Sequence, residues 1–321
     1  MSEADFKLQA DPQFRADVLA GLMGPRRAIP ARWFYDERGS QLFDDITHLP
    51  EYYPTRTETD LLKDCRAELA KHIPAGAAVV EFGAGSATKT PLLLEAIRPD
   101  IYIPVDISGD YLRMSAEVLA RQFPDLTIRP VEADFSQDMH LPTDKPSEAR
   151  LGFFPGSTIG NFVPRSSVDL LRHMRGHLGQ GAMLLIGFDR IKPVEILLPA
   201  YDDAAGVTAA FNLNLLVRIN RELDGNIPVE AFSHHVQWND REARIEMHLR
   251  CAWDVQFTVS GREFQIQAGE SIHTENSHKF DLRSLRILLR AGGWTPVAEF
   301  SDAKEWFTLV LAEAVPFYNA P

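Results

Sequence analysis

The chain has only two cysteines in 321 residues, Cys65 and Cys251. They are too few and too far apart for a disulfide framework or a thiolate metal site, and such scarcity suits a reducing cytosol. No run of about 18 apolar residues occurs, and the acidic opening Met1-Ser2-Glu3-Ala4-Asp5 has no apolar core, so neither membrane insertion nor secretion is expected. No Lys/Arg-rich stretch offsets the net charge of −12, from 33 basic and 45 acidic residues. This argues against a nucleic-acid groove and against an anionic membrane surface. The sequence also lacks a Gly-x-Ser-x-Gly elbow and any Asp-Pro-Pro-Tyr or Asn-Pro-Pro-Tyr, which disfavours covalent catalysis and base-flipping amino-methylation. The histidines are badly spaced for a metal. His234 and His235 are adjacent and would point to opposite sides of a strand, and no acid joins His273 and His278 at a ligand interval. With 45% hydrophobic and 24% charged residues, the chain has the balance of a globular protein with one large or two ordinary domains.

What the chain does have is Val79-Val80-Glu81-Phe82-Gly83-Ala84-Gly85-Ser86, an apolar run that ends in an acid and then a glycine turn. A second apolar run, Ile101 to Val105, closes with Asp106. Glycines at 83 and 85 permit a tight turn and close backbone approach to a ligand, and an acid roughly 20 residues on can bind ribose hydroxyls. The last glycine of the dinucleotide pattern is replaced by Thr88, so a pyrophosphate would lose its close-packed helix start. A cofactor without phosphates fits better, and S-adenosylmethionine is expected. Glu81, Gly83 and Gly85 would lie beside its amino-acid end and Asp106 on the ribose, with Ser86, Lys89 and Phe135 as further cofactor contacts. Asp134 would lie near the adenine. A plain strand-to-helix turn is the alternative for the glycines alone; three acid-terminated strands in order point to a methyltransferase.

Helical spacing covers Asp11 to Met23 and Asp60 to His72. From Ala77 to about Asp189 strands and helices alternate: Ala77–Phe82, Thr90–Ile97, Ile101–Asp106, Gly109–Phe123, Thr127–Asp134, Arg150–Pro155, Arg165–His177 and Ala182–Phe188. That rhythm predicts a parallel sheet with helices on both faces. It then changes. Val194 to Arg221 reads as helix, Phe232 to Leu249 and Val255 to Ile266 as strands, and Leu282 to Ala291 as a helix stopped by Gly292-Gly293. Thr295–Glu299 and Phe307–Glu313 should finish the sheet as an antiparallel pair. The expected class is α/β, a Rossmann-like class I methyltransferase fold with an inserted α+β substrate-binding lobe. Residues 1–60 would contribute to that lobe, 61–193 and 281–321 would form the methyltransferase domain, and 194–280 the insert. Such a division leaves a cleft suited to a small molecule.

Beyond the fourth strand, Gly156-Ser157-Thr158-Ile159-Gly160-Asn161 brings polar groups to where a parallel sheet opens onto its ligand. Asn161 either touches substrate or simply tolerates positive φ in a glycine turn. The segment from Trp33 to Glu58 is rich in aromatic residues, including Tyr35, Phe43, Tyr52 and Tyr53, and looks too irregular for a helix or strand. Each ring alone could be core packing, but their density beside Pro50, Pro54 and Arg56 favours a lid or pocket wall. Aromatic faces also attract sulfonium and ammonium groups.

Leu49-Pro50-Glu51-Tyr52-Tyr53-Pro54-Thr55-Arg56-Thr57-Glu58 carries a family resemblance, together with Gly156 to Asn161, Tyr201 to Asn212, Arg244-Ile245-Glu246-Met247 and Thr274-Glu275-Asn276-Ser277. Nearly end to end, the chain resembles the histidine Nα-methyltransferases of ergothioneine biosynthesis, which use three S-adenosylmethionines to convert histidine to its trimethylated betaine, hercynine. The resemblance implies Asn161 and Tyr201 on the substrate carboxylate, with Asn161 also near the amine. It implies Tyr52, Glu275 and Ser277 on the imidazole and Met247 beside the ring. Tyr35, Phe43 and the Gly156 backbone would line the amino end, with Tyr35 and Asn161 nearest the chemistry. Asn276 departs from the apolar residue expected there, and if it pointed into the pocket it would put the ring preference in doubt. The implied partner is L-histidine, handled by a cytoplasmic monomer without nucleic acid, membrane or metal. Rival readings are an Nα-methyltransferase of another amino acid, a non-catalytic S-adenosylmethionine sensor, and a nicotinamide dehydrogenase, the last disfavoured by Thr88.

Overall fold

The computed structural model describes residues 11–142 and 149–315; the acidic opening Met1–Asp5 lies outside the described residues. The chain begins with helices α1 (Pro12–Met23), α2 (Glu37–Thr47) and α3 (Tyr53–His72), then β1 (Ala78–Phe82), α4 (Thr90–Ile97), β2 (Ile101–Asp106) and α5 (Gly109–Gln122). Next come the two-residue strands β3 (Thr127–Ile128) and β4 (Val131–Glu132), followed by β5 (Arg150–Phe154), α6 (Pro164–Leu178), β6 (Met183–Asp189), α7 (Val194–Leu197) and α8 (Val207–Glu222). The remainder is β7 (Phe232–Asn239), β8 (Arg244–Cys251), β9 (Val255–Val259), β10 (Arg262–Ile266), β11 (Ser271–His278), α9 (Leu282–Ala291), β12 (Trp294–Ser301) and β13 (Phe307–Ala314). Two compact units result. The first takes the described residues up to Tyr52 with Val194–Arg241 and Ile245–Asn276; the second takes Tyr53–Pro193, Glu242–Arg244 and the described residues from Ser277 onward.

The second unit is built on an eight-stranded sheet ordered β12-β13-β6-β5-β1-β2-β3, with β4 also paired to β2. Strands β1, β2, β5 and β6 run parallel, and β13 pairs antiparallel to β6 and to β12. Every residue of β1 is buried, as expected of a central strand covered on both faces. Side chains alternate between the faces: Val80 and Phe82 join one core with Leu170, Leu171, Leu285 and Trp294, while Val79 joins the other with Leu62, Leu94 and Leu119. That period of two explains why the sequence reads as unbroken apolar runs rather than alternating ones. The helix expected at Leu282–Ala291 is α9, started by a capping box between Asp281 and Ser284.

Four expectations need correction. Thr127–Asp134 is not one strand but two, because Pro130 between them has no N–H to give to a ladder. The aromatic segment is largely helical: α2 and the start of α3 lie in it, with a 3-10 turn at Ala31–Phe34. Its helices were hidden because Asp36, whose carboxylate caps α2 by accepting the Gly39 N–H at 2.7 Å, sits among bulky rings. The helix expected over Val194–Arg221 breaks at Tyr201–Gly206, where Gly206 has φ +74° and Asp203 caps α8 through the backbone N–H groups of Val207 and Thr208. Finally, Phe232–Leu249 and Val255–Ile266 each fold back on a turn. The strands form a β9–β10 hairpin and a three-stranded sheet ordered β11-β8-β7.

Candidate active site

In the second unit the turn after β1 has the geometry its glycines predict. Gly83 and Gly85 have φ of +72° and +50°, values that cost an L side chain roughly 1–2 kcal/mol. The Gly83 N–H donates to the Val105 carbonyl at 2.8 Å, tying the turn to β2. Asp106, at the end of β2, accepts the Gly85 N–H at 3.0 Å and the Ser108 N–H at 2.9 Å. A side chain at Gly85 would meet no protein atom within 4 Å, whereas one at Gly83 would lie 3.4 Å from the Phe135 ring. Asp134 stands two residues past the end of β4, its carboxylate accepting the Ser136 N–H at 2.9 Å. Ser86 pairs its hydroxyl with that of Thr88 at 2.8 Å.

Glu81 is 2% exposed, and its Oε2 accepts the hydroxyls of Tyr102 at 2.6 Å and Thr90 at 2.7 Å. Burial pushes its carboxyl up to about 7, against the pull of those two hydroxyls and of Lys89. Lys89 itself pairs with Glu58 on α3. Glu58 is fully buried and also accepts the backbone N–H of Gly156 at 2.8 Å. Sequence reading passed over Glu58, although it closes the Leu49–Glu58 motif.

Asn161 ends a 3-10 turn, Thr158–Asn161. The left-handed residue of that loop is Ser157, φ +55°, and Asn161 is not among the residues with positive φ, so the turn-conformation reading of Asn161 does not hold. The Ser157 hydroxyl accepts the Asp189 N–H at 2.9 Å. Asp189, at the end of β6, anchors a buried ionic group: its carboxylate receives Lys192, Lys279 at 2.7 Å and the Tyr53 hydroxyl at 2.7 Å. Despite burial, the two ammonium groups hold the Asp189 carboxyl below its ordinary range, while burial pushes Lys192 down to about 8. Lys279 also donates to the Ser277 hydroxyl at 2.9 Å.

The first unit gathers the aromatic candidates. Tyr35 stands edge-on to Phe43, with centroids 5.6 Å apart, Phe43 to Tyr52 at 6.3 Å and Tyr52 to Tyr201 at 6.3 Å. Phe211, on α8 and not foreseen as a site residue, stands 5.8 Å from Tyr35 and 6.0 Å from Phe43. Its signal was the Ala209-Ala210-Phe211 stretch within the longest motif. Beneath them Asn212, fully buried, donates to His234 Nδ1 at 2.8 Å and to the His248 carbonyl, and accepts the Thr274 hydroxyl at 2.8 Å. The Thr274 hydroxyl also lies 3.1 Å from the carbonyl of Met247. Because the amide donates to Nδ1, the proton of His234 lies on Nε2 and is given to the Tyr201 carbonyl at 2.8 Å. On β11, alternation sets Asn276 on the face opposite Glu275 and Ser277. Its Oδ1 is buried with no hydrogen-bond partner.

The residues of the second unit suit a nucleoside-bearing group. Asp106 spends two of its roughly four acceptor sites on N–H groups, which leaves capacity for ribose hydroxyls, and the Gly85 turn is open beside it. This is the Rossmann-like α/β class, in which ligands bind beyond the carboxyl ends of the strands. A family described as "Histidine-specific methyltransferase, SAM-dependent" matches residues 14–314. The chain is 41% identical to the histidine N-alpha-methyltransferase of Mycolicibacterium smegmatis over 93% of its length and 94% of the relative's. It is 39% identical to that of Mycobacterium tuberculosis, again over 93% and 94%. It is also 33% identical to ergothioneine biosynthesis protein 1 of Neurospora crassa, over 91% of this chain and 34% of that longer one. The chain belongs to the histidine-specific, S-adenosylmethionine-dependent methyltransferases. Among the described residues no helix is long and apolar enough to cross a membrane.

Proposed function

We propose that this enzyme trimethylates the α-amino group of L-histidine to give hercynine, a step of ergothioneine biosynthesis, and that it works as a cytoplasmic monomer. The observation that carries the reading is the open Gly83–Gly85 turn braced on Asp106 in a chain of the histidine-specific family. Glu81, Gly83, Gly85, Ser86, Lys89, Asp106, Asp134 and Phe135 are assigned to the cofactor. When bound, S-adenosylmethionine supplies an electrophilic methyl that passes in line to the amine, with S-adenosylhomocysteine as the leaving group and one proton released per round.

The chain's own part is positioning, because alignment replaces a demanding bimolecular encounter. Asn161 and Tyr201 are assigned to the carboxylate of histidine, and Asn161 also to its amine. Tyr35, Phe43 and the Gly156 backbone line the amino end, where aromatic faces accommodate the growing ammonium. An α-amine has a pKa of about 7.7–8.0, so no strong base is required; Tyr35 or a water takes the proton. Glu275 accepts an imidazole N–H, with Tyr52, Ser277 and Met247 against the ring. Sites that read a ring by buried hydrogen bonds reject analogues that leave those groups unpaired.

The test is mass spectrometry of the purified protein with S-adenosylmethionine and an equimolar mixture of the twenty amino acids. Histidine gaining three methyl groups with the others untouched is the expected result. Methylation of a different amino acid overturns the imidazole assignments, and stoichiometric cofactor binding without S-adenosylhomocysteine makes the protein a sensor. Light scattering checks the monomer.

A further inference from the structure

Two segments of the second unit that carry assigned substrate contacts meet at Gly160 and His278, neither of which has a part in the chemistry above. Gly160 precedes Asn161 in the 3-10 turn Thr158–Asn161, and His278 follows Ser277 at the end of β11. The turn lies close on the strand: a Cβ at Gly160 would stand 2.8 Å from the His278 carbonyl oxygen and 3.2 Å from its backbone nitrogen. Gly160 is not among the glycines with positive φ, so the close approach, and not the backbone conformation, requires it. The His278 side chain makes the same contact from the other direction. Its residue is 6% exposed, and Nδ1 lies 2.8 Å from the Gly160 carbonyl oxygen. A carbonyl can only accept, so Nδ1 carries the proton. Nε2 is left buried with no hydrogen-bond partner among the described residues, at a cost of about 1–3 kcal/mol that an apolar side chain would avoid. The ring is explained by the one N–H that it delivers. Because a peptide unit is planar, holding the Gly160 oxygen also fixes the plane that carries the nitrogen and Cα of Asn161. The backbone nitrogen of His278 belongs in the same way to the peptide unit that begins at Ser277. One contact thus locks the peptide before Asn161 against the peptide after Ser277.

We propose that the Gly160–His278 contact sets the separation between the two ends of the substrate site, with His278 a positioning residue that acts through Asn161 and Gly160 a determinant of substrate length. This rests on the assignment of Asn161 to the amine and carboxylate of histidine and of Ser277 to its ring. A site held at one separation takes a side chain with a single methylene between ring and α-carbon. It refuses the homologue with two, whose ring and amine do not meet both contacts in the same register.

The experiment uses the full-length enzyme at saturating S-adenosylmethionine, and compares kcat/KM for histidine with that for homohistidine, longer by one methylene. The wild type should favour histidine by about tenfold or more, since a misplacement of about 1 Å is enough to lose that much. In Gly160→Ala the added methyl pushes the turn away from β11, so the ratio should fall by about fivefold or more. In His278→Leu the contact loses its N–H, and KM for histidine should rise about threefold or more, the worth of one hydrogen bond, with KM for S-adenosylmethionine unchanged. His278→Asn, whose amide nitrogen takes the place of Nδ1, should return KM toward the wild-type value. A merely structural role would lower kcat with the folded fraction and leave both KM and the ratio alone. The proposal is overturned by an unchanged ratio in Gly160→Ala, by a histidine KM within twofold of wild type in His278→Leu, or by an Asn variant no better than Leu. Should the variants fail to fold, the wild type alone decides: homohistidine accepted within about threefold of histidine overturns the proposal. A wild type that does not methylate histidine at all overturns instead the functional reading on which this rests.

Discussion

The carboxylate of Glu58 accepts the backbone N–H of Gly156 at 2.8 Å while pairing with the ammonium of Lys89. One fully buried acid on α3 thus links a residue assigned to the cofactor with one assigned to the substrate. Glu58→Ala would leave a buried N–H and an ammonium uncompensated, a loss of about 3 kcal/mol. Glu58→Gln keeps an acceptor for Gly156 and loses only the ion pair. The expected order of thermal midpoints is wild type, Gln, Ala, with KM for S-adenosylmethionine rising in the same order. Equal midpoints for Gln and Ala would mean that the Gly156 contact contributes nothing.

Gly85 separates folding from binding. With φ +50° and nothing near the place of a Cβ, Gly85→Ala should cost only about 1–2 kcal/mol of stability. The same methyl obstructs backbone approach to the cofactor. Isothermal titration should therefore find S-adenosylmethionine affinity lowered about tenfold or more with the fold intact; unchanged affinity would remove Gly85 from the cofactor edge.

Glu81 sets a pH dependence. Burial raises its carboxyl from 4.5 to about 7 in the folded protein. The native state then holds this proton more tightly than the unfolded chain does. The contribution to stability is complete below 4.5 and is lost as pH rises through about 7. Glu81→Gln keeps an acceptor for Tyr102 and Thr90 without the charge, so its advantage over wild type should grow between about pH 5 and pH 8. Thermal midpoints of the ligand-free proteins measure this, and a constant difference would contradict it.

His234 has the opposite sign. Burial lowers its pKa below 6.5, although the Tyr201 carbonyl, Asp202 and Asp203 pull upward. Protonation would set an Nδ1–H against the Asn212 amide. Stability from this contact is present above pH 6.5 and lost as pH falls through the lower folded value. Urea midpoints of the wild type should drop more steeply than those of His234→Phe between about pH 7 and pH 5. Parallel curves would show that His234 does not titrate in this range.

Glu275→Ala tests the imidazole assignment. KM for histidine should rise by about tenfold or more, since a charged hydrogen bond to substrate is worth about 1.5–3 kcal/mol, while S-adenosylmethionine binding is unchanged. A histidine KM within twofold of wild type would remove Glu275 from the ring.

The parallel sheet was legible because its strands are apolar on both faces and end in acids, and because Gly83 and Gly85 punctuate the first turn. Asn276 was legible only as a departure, since whether it mattered depended on which face of β11 it occupied. The break at Tyr201–Gly206 escaped reading because Val194–Arg221 keeps an apolar pattern across a cap made by Asp203. Helix α2 escaped because rings in a short segment masked its cap at Asp36.

Local chemistry by itself determined the alternation of strands and helices in the parallel sheet, the glycine turn after its first strand and the acids Glu81 and Asp106, since each depends on neighbours within a few residues or on a strand-helix-strand repeat. Long motifs determined the family. Only the tertiary structure decided that Glu58 meets Gly156 across 98 positions, that Asn212 fixes the tautomer of His234, and that Lys279 joins Asp189 to Ser277. Those partners are set by packing between distant segments, and a buried charge announces its partner only when the fold brings the two together.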